Sequence, residues 1–211
     1  MENVIVFSAH TDDFVLGAGG TIMNYVNEKK HVTAVVFSLG EKSHMWLKDD
    51  VIKDMRHKET LDAAKLLKCD VVFLDLADQG VYAEYKKKGA NKTLINLLEK
   101  KKPVKLFTHS SEDPHPDHRA VHKITMEVLK KTKSKTEVYI YSVWNPVSFK
   151  TKFPALFVDV AKTFKVKMKA LKLFQSQQFH IAYPVFMVIF RAIKDGFKIK
   201  KRYAEKFYRL Q

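Results

Sequence analysis

The chain has 211 residues, 46% of them hydrophobic, which is enough to bury the core of one α/β domain without disulfide bonds. Its single cysteine, Cys69, excludes an internal disulfide framework and a zinc site built from several thiolates. The formal net charge is +15, but the lysines are scattered along the chain, which favours a solvated surface over a nucleic-acid site.

The first predicted element is a short buried strand that starts at Val4 and ends at His10. Two consecutive carboxylates, Asp12 and Asp13, follow it, and then comes a glycine-rich turn that ends at Gly20. Ligands of open α/β sheets bind at the carboxyl ends of the strands. Because a histidine and two carboxylates are costly to desolvate there without a cation, this stretch is interpreted as half of a metal site.

Strands and helices alternate in the rest of the chain. The first βαβ unit implies parallel strands with a right-handed crossover, so we predict one α/β domain over residues 1–211 with a mostly parallel sheet flanked by helices. The predicted helices cover residues 21–30, 49–67, 93–101, 119–131 and 164–174, and the further predicted strands cover 32–38, 71–74, 104–108, 138–143 and 155–160. A loop through Asp75, Asp78 and Gly80 is predicted to be irregular, as is a loop at Asn145-Pro146, and the end of the chain to be helical or irregular. The inner face of the helix over 49–67 is predicted to comprise Val51, Ile52, Met55, Leu61, Ala64 and Leu67.

The segment His115-Pro116-Asp117-His118 also follows a predicted strand, and its prolines, with Pro114, argue against regular structure there. With His10 and Asp13, His118 would complete a set of two histidines and one carboxylate that leaves one metal position open. A zinc ion lowers the pKa of bound water to roughly 7, which makes hydroxide available near neutral pH.

The remaining polar residues of the two segments then acquire roles in hydrolysis. Asp12 precedes a ligand and is predicted to act as the general base. His115 is predicted to hold the oxyanion of a tetrahedral intermediate as an imidazolium, and Asp117 to accept a hydrogen bond from His115 and raise its pKa. Taken singly, such residues are more often helix caps or structural hydrogen-bonding groups, but two clusters after two parallel strands favour a joint site.

The sequence does not match two other motifs that it partly resembles, a dinucleotide-binding glycine loop and a zinc-protease helix. The glycines at 17–20 lack the third glycine of a dinucleotide fingerprint, because Ile22 stands there. His122 follows His118 by four residues, but Arg119 replaces the glutamate of a zinc-protease helix, so His122 is placed outside the ligand set. The sequence provides no identifiable partner for the remaining histidines, which are His31, His44, His57, His109 and His180.

The motifs Ala9-His10-Thr11-Asp12-Asp13, Gly17-Ala18-Gly19-Gly20-Thr21 and His115-Pro116-Asp117-His118 resemble those of the PIG-L/LmbE-like family of zinc-dependent N-deacetylases. The resemblance covers essentially the whole chain and implies a Rossmann-like fold. It implies metal ligation by His10, Asp13 and His118, with Asp12 as the base and His115 at the oxyanion.

Further likenesses lie outside the metal motifs. Arg56 and Asp78 resemble family residues that approach the substrate, and the family's other stretches are matched by Lys169-Ala170-Leu171, Ser176-Gln177 and Tyr203-Ala204-Glu205-Lys206-Phe207. The chain departs from the family at Thr11, where proline is usual, and at Phe14, where glutamate is usual. Because neither position carries a ligand or base role, metal binding and hydrolysis are expected to persist. Phe14 is also compatible with three alternatives: a less efficient enzyme, an enzyme with a different substrate, or an enzyme that has lost its activity.

The resulting expectation is a Zn²⁺-dependent hydrolase, with other divalent metals able to replace zinc, that removes the acetyl group from an N-acetylglucosamine-type sugar or conjugate. One alternative keeps the site but changes the substrate to a thiol conjugate or a glycolipid head group. Another is a basic nucleic-acid-binding domain with a vestigial metal site, which the scattered lysines disfavour.

The sequence also indicates location and partners. A cytoplasmic protein is expected, because the start lacks the basic residues of a signal peptide and the apolar stretch over 181–193 is broken by Pro184 and Arg191. The sequence is compatible with a homo-oligomer. The aromatic, basic end over 179–209 is interpreted as completing the core or a subunit interface, in preference to lying on an anionic membrane surface.

Overall fold

The computed structural model describes residues 1–43, 46–132, 134–144 and 153–210, and for residues 178–183 it describes only the backbone. The predicted loop at Asn145-Pro146, residue His44 and the side chain of His180 lie outside the described part. Within that part the chain forms seven strands and seven α-helices. None of these helices combines the length and apolarity needed to cross a membrane.

The elements alternate as the sequence predicts. The strands are β1 (Asn3–Ser8), β2 (His31–Ser38), β3 (Asp70–Leu76), β4 (Lys105–His109), β5 (Glu137–Tyr141), β6 (Ala155–Asp159) and β7 (Ala204–Arg209). The helices are α1 (Asp13–Asn27), α2 (Asp49–Leu67), α3 (Val81–Lys87), α4 (Asn91–Lys101), α5 (Pro116–Thr132), α6 (Phe164–Leu171) and α7 (Gln178–Lys198).

All seven strands form one sheet in the order β3-β2-β1-β4-β5-β7-β6. The first five strands in this order are parallel, and β7 runs antiparallel between β5 and β6. The chain leaves β1 toward one edge and later returns to place β4 on the other side of β1. The carboxyl ends of β1 and β4 therefore border a topological switch point, where α/β sheets bind ligands.

Helices cover both faces of the sheet. Side chains alternate along a strand, so Val4 and Val6 of β1 enter one apolar cluster with α1, α2, α6 and α7, while Ile5 and Phe7 enter a second cluster with α3, α4 and α5. The predicted α/β fold class, a mostly parallel sheet flanked by helices, is confirmed.

The first helix begins earlier than predicted, because α1 starts at Asp13 and includes the glycines of the predicted turn. A side chain at Gly17 would overlap the ring of Tyr141 on β5, and one at Gly20 would lie 2.8 Å from Val160. Glycine is therefore present because α1 packs tightly against its neighbours, and this packing outweighs the low helix propensity of glycine.

The bounds of α2 agree with the prediction, but its inner face does not. Ile52, Ala64 and Leu67 are buried as expected, whereas Val51, Met55 and Leu61 are exposed. The buried stripe instead includes Arg56 and Thr60. Both polar side chains find acceptors inside the protein, so apolarity alone selects the wrong face.

Other differences concern short elements. Helix α5 starts at Pro116, three residues before the predicted start, because proline is favoured at the first position of a helix. The predicted irregular loop after β3 leads directly into α3, and the helix predicted to reach residue 174 ends at Leu171. The end of the chain adds β7, which was not predicted.

A buried ion pair connects β7 to α1. Lys167 donates to Glu205 over 2.6 Å and to the carbonyl of Leu16 over 2.8 Å, and Glu205 accepts from the amides of Gly20 and Thr21. Burial is the main effect on the Lys167 pKa and lowers it. The lysine that matters in this stretch is therefore Lys167, since Lys169 of the sequence motif is exposed.

We predict that Gly17→Ala lowers the free energy of unfolding by about 1–2 kcal/mol, because overpacking against Tyr141 exceeds the gain in helix propensity. Chemical denaturation monitored by circular dichroism measures this change. The matched control is Gly80→Ala, where the added Cβ meets nothing closer than 4.0 Å and stability is expected to stay the same. Equal stability of the two variants would contradict the packing role of Gly17.

Candidate metal centre

The two segments singled out in the sequence meet at the switch point of the sheet. His10 lies just beyond β1, Asp13 is the first residue of α1, and His118 lies in the first turn of α5. His10 is 9% exposed, Asp13 2% and His118 0%, so the cluster is largely removed from water. A buried carboxylate among imidazoles needs compensating charge from protons or a metal ion.

The side chains of these three residues meet at one oxygen atom. Asp13 Oδ2 lies 3.4 Å from His10 Nδ1 and 3.3 Å from His118 Nε2. Ligand atoms bound tetrahedrally to zinc at 2.0–2.1 Å are separated by about 3.4 Å. His118 Nε2 is buried and has no hydrogen-bond partner among the described residues. The donor types and these two distances to Asp13 therefore suit a divalent ion.

Three overlapping groups of side chains in this region each bring their ligand atoms within 4.8 Å of one another. These groups are His10 with His115 and His118, Asp13 with His109 and His118, and His10 with Asp78 and Asp117. None of these groups contains all three predicted ligands: His10 and His118 share the first group, and Asp13 and His118 share the second.

The two predicted ligand histidines bind protons strongly when no metal ion is present. Burial would lower the pKa of His10, but hydrogen bonds to the surrounding carboxylates, with Asp117 the strongest, raise it well above its ordinary value. Burial likewise opposes charge on His118, yet the negative charge of Asp13 raises its pKa to about 9. Protons therefore supply the positive charge that a metal ion would supply.

The carboxylates show the opposite shift. Burial would raise the pKa of Asp13, but the positive charge of the neighbouring His118 holds it well below its usual range. Burial would also raise the pKa of Asp78, and its hydrogen bond with His10 lowers it to about 2. Both carboxylates are thus ionised near neutral pH.

Asp12, the predicted general base, points toward Arg56. The Arg56 guanidinium lies 3.6 Å from Asp12 Oδ1, and Arg56 also donates to Thr11 Oγ1 and to the carbonyl of Gly40, each over 2.9 Å. Burial, assisted by the charge of Asp13, raises the pKa of Asp12, while Arg56 opposes the shift. Arg56 is therefore held in place by Thr11, which stands where the resembling family has proline.

Asp117 and His115 are arranged differently from the prediction. The Asp117 carboxylate accepts from the amides of Gln79 and Val81 at the start of α3, and His115 Nδ1 accepts from the backbone amide of Asp117 over 3.2 Å. Burial and then the nearby charge of His10 lower the pKa of His115. His115 is thus positioned by a backbone donor as a neutral imidazole, and not by a carboxylate as an imidazolium.

Sequence reasoning missed two residues of the centre. His109 stacks on His118 with ring centroids 4.0 Å apart, and its Nε2 accepts from the amide of Ala9. Asp113 Oδ1 lies 3.0 Å from His118 Nδ1, on the side of the ring away from Asp13. The available signal for His109 was its position at the end of β4, which matches that of His10 after β1.

His122 lies one layer further out. Its Nδ1 donates to the carbonyl of His109 over 2.9 Å, so it braces a histidine of the cluster without joining any of the three groups. This position agrees with its predicted exclusion from the ligand set.

A cavity of about 190 Å³ opens beside the cluster. It is lined by residues from the ends of several elements, which are His10, Asp12, Asp13, Leu16, Lys42, Ser43, Arg56, Asp78, Gln79, His115, Trp144, Gln177 and Pro184. Most of these side chains are polar, so the cavity suits a hydrophilic ligand that presents one reacting group to the cluster.

Comparison with protein families provides one match that spans more than half of the chain. Residues 5–129 match the family described as PIG-L: GlcNAc-PI de-N-acetylase. The matched range includes both segments of the metal centre.

Individual relatives are more distant. The chain is 25% identical over 196 residues to the 4-oxalmesaconate hydratase of Pseudomonas putida, which covers 84% of this chain and 74% of the relative. The crystal structure of GalB, the 4-carboxy-2-hydroxymuconate hydratase of Pseudomonas putida, has a TM-score of 0.86 with 22% identity and covers 100% of this chain and 97% of its own. N,N'-diacetylchitobiose deacetylase of Pyrococcus horikoshii has a TM-score of 0.82 with 23% identity and covers 99% and 84%. At these identities the two structures show that the fold is shared.

We predict that His118→Ala weakens zinc binding by at least about 100-fold, because the variant lacks one of the three predicted ligands. Isothermal titration calorimetry of the metal-free protein measures the affinity. His122→Ala is the matched control on the same helix, and it is expected to bind zinc within about ten-fold of the unchanged protein. Equal losses in both variants would contradict the ligand assignment.

We also predict that zinc binding releases protons and strengthens as the pH rises from 6 to 9. The pKa of His118 in the metal-free protein is about 9, so its ring is protonated at pH 7 and must lose that proton to ligate. Calorimetry in two buffers of different ionisation enthalpy counts the protons released. An affinity independent of pH across this window would show that the raised-pKa histidines are not ligands.

Proposed function

The chain belongs to the PIG-L family, and from this membership we propose that it is a metal-dependent hydrolase that removes the acetyl group from an N-acetylglucosamine-type sugar or conjugate. The observation that carries the proposal is the pair of distances from Asp13 Oδ2 to His10 and His118, which suit one divalent ion at the edge of a polar cavity. His10, Asp13 and His118 would hold that ion. The bound ion would polarise the amide carbonyl and acidify water.

Asp12 is the group best placed to move protons. It lines the cavity, is only 7% exposed and lies beside the cation of Arg56. The guanidinium favours the ionised form of Asp12, which can take a proton from the attacking water and then deliver it to the leaving amine. Arg56 therefore acts by keeping the base charged as well as by forming part of the cavity wall.

His115 is proposed to stabilise the negative charge that develops on the carbonyl oxygen. Because its Nδ1 accepts from the Asp117 amide, the hydrogen of the neutral ring lies on Nε2. His115 lines the cavity, so this N–H is available to a substrate oxygen. Asp117 supports the site through two amides of the α3 start, which fixes the loop that carries Asp78.

Asp78 would contact a hydroxyl group of the sugar. Its carboxylate already accepts from the amides of Lys42 and Gln79 and contacts His10 over 3.2 Å, so its position is fixed before substrate arrives. A preorganised acceptor of this kind costs little ordering entropy when a ligand binds.

Phe14, the departure from the usual glutamate, does not enter the cavity. Its side chain is 0% exposed and belongs to the apolar core, and its amide donates to Ser8 Oγ over 2.9 Å. The same hydroxyl donates to the carbonyl of His10. Ser8 thus braces the metal loop, and we expect the substitution to leave the reaction chemistry in place.

A second candidate is hydration of a small unsaturated carboxylic acid. It is favoured by the named activity of the Pseudomonas putida relative, whose similarity covers 84% of this chain. Such a reaction can also use a metal ion and a base next to water. The basic side chains of Arg56 and Lys42 on the cavity wall would face the carboxylates of that substrate.

We predict that the zinc-loaded protein releases free amine from N-acetylglucosamine derivatives and leaves 4-oxalmesaconate unchanged. A panel of N-acetylated sugars assayed with an amine-reactive dye, alongside the ultraviolet absorbance of the oxo-acid, separates the two candidates. Hydration of the acid without amine release would favour the second candidate.

The base assignment has its own test. Asp12→Asn is expected to lower kcat by about 10²–10⁴-fold while zinc remains bound at full occupancy, because it removes proton transfer only. Asp62→Asn, which alters an exposed carboxylate on α2, is the matched control and should retain full turnover. An Asp12→Asn variant with unchanged kcat would refute the role of Asp12.

A further inference from the structure

Helix α7 presents an apolar stripe to solvent. The stripe consists of Phe186, Ile189, Phe190, Ile193 and Phe197, which recur at the spacing of one helical face. Phe186 is 65% exposed and Phe197 81%. The opposite face of α7 is buried through Met187, Val188 and Ala192, so the interpretation that this end completes the core holds for one face only.

Basic residues surround this stripe. Residues 178–202 contain six basic side chains and one acidic side chain. The acidic residue, Asp195, is buried, whereas Lys198, Lys200 and Arg202 are exposed. Lys194 lies with its Nζ 5.8 Å from the centre of the Phe190 ring, so its stem borders the stripe. An apolar face flanked by lysines is the pattern of helices that lie in the interface of anionic membranes.

A second exposed apolar side chain lies close in sequence to residues that line the cavity. Trp46 is 87% exposed and follows Lys42 and Ser43, which line the cavity. Gln177, at the start of α7, donates to Ser43 Oγ over 3.0 Å and joins the two segments. Tryptophan is enriched at the membrane–water interface, where its ring is partly buried and its N–H remains hydrated.

We propose that the stripe on α7, together with Trp46, docks this protein onto an anionic lipid surface. Charge decides between a membrane and a second copy of the chain. A symmetric contact through the stripe would bring the same lysines of two chains, each with a formal charge of +15, close together. An anionic bilayer neutralises those lysines and covers the phenylalanines at once. Pro184 of the same helix lines the cavity, and the inference does not depend on the reaction proposed above.

Vesicle flotation tests the inference with the zinc-loaded full chain. The protein is expected to float with vesicles of phosphatidylcholine containing about one third phosphatidylglycerol, and to remain in the dense fraction with phosphatidylcholine alone. The double variant Phe190→Glu/Phe197→Glu is expected to lose binding by at least about ten-fold, because it removes two apolar contacts and adds two negative charges.

The matched control is Met126→Glu/Val104→Glu. It makes the same change of charge at two exposed apolar positions away from α7: Met126 on α5, which is 39% exposed, and Val104 just before β4, which is 37% exposed. It is expected to float within about two-fold of the unchanged protein. Zinc stoichiometry and the thermal midpoint establish that each variant is folded. Phe197→Ser, at the most exposed position of the stripe, provides the measurement if the double variant does not fold.

Three results would overturn the inference. The unchanged protein could fail to float with anionic vesicles, or the stripe and control variants could lose binding equally, which would indicate charge adsorption without a docking face. The third result combines two observations: the unchanged protein does not float, and it is a dimer in analytical ultracentrifugation whereas the stripe variant is a monomer. That result would assign the stripe to contact with a second copy of the chain. Because zinc binding and amine release are assayed separately, failure here is distinct from failure of the proposed reaction.

Discussion

The structure depends most on the placement of one carboxylate oxygen, Oδ2 of Asp13, among the imidazoles of His10, His109 and His118. Two distant parts of the chain, residues 10–13 and residues 109–118, must meet for this to occur, and each lies between the end of a parallel strand and the first turn of a helix. The low pKa of Asp13 and the raised pKa of His118 are two sides of the same charge interaction. A divalent ion satisfies this arrangement better than protons do, because it removes the need to keep several buried groups charged in mutual contact.

Much of this architecture could be predicted from short-range patterns. Local sequence patterns indicate the apolar strands β1, β2 and β4 and the span of α2. Polar residues follow β1 and β4, and this shared position is enough to predict that the two polar segments lie close together. The remainder depends on contacts between distant residues. His109 gains its role by stacking on His118, and glycine-rich α1 persists as a helix because Tyr141 packs where side chains would otherwise stand. Neither the role of His109 nor the helical state of α1 follows from the local propensities of their residues.

The matched family and a relative of this chain are named for two different reactions. The family description names a de-N-acetylase, the relative is named as a hydratase, and both reactions use water. Under the proposed function, the cavity wall would select the substrate. In this chain that wall includes Arg56 held by Thr11 and Asp78 held by two amides, so the polar groups proposed to meet the substrate are fixed by neighbours that do not react.

The insertion of β7 between β5 and β6 has a consequence for biosynthesis. Strand β6 pairs with β7 and not with β5, so it cannot join the sheet until Ala204–Arg209 has emerged from the ribosome. Until then Lys167 also lacks Glu205, its buried counter-ion beside α1. A nascent chain that has already made both metal segments would therefore still expose an open sheet edge and the underside of α1. Such intermediates are the species that chaperones engage, so completion of the sheet is expected to be a late event after translation.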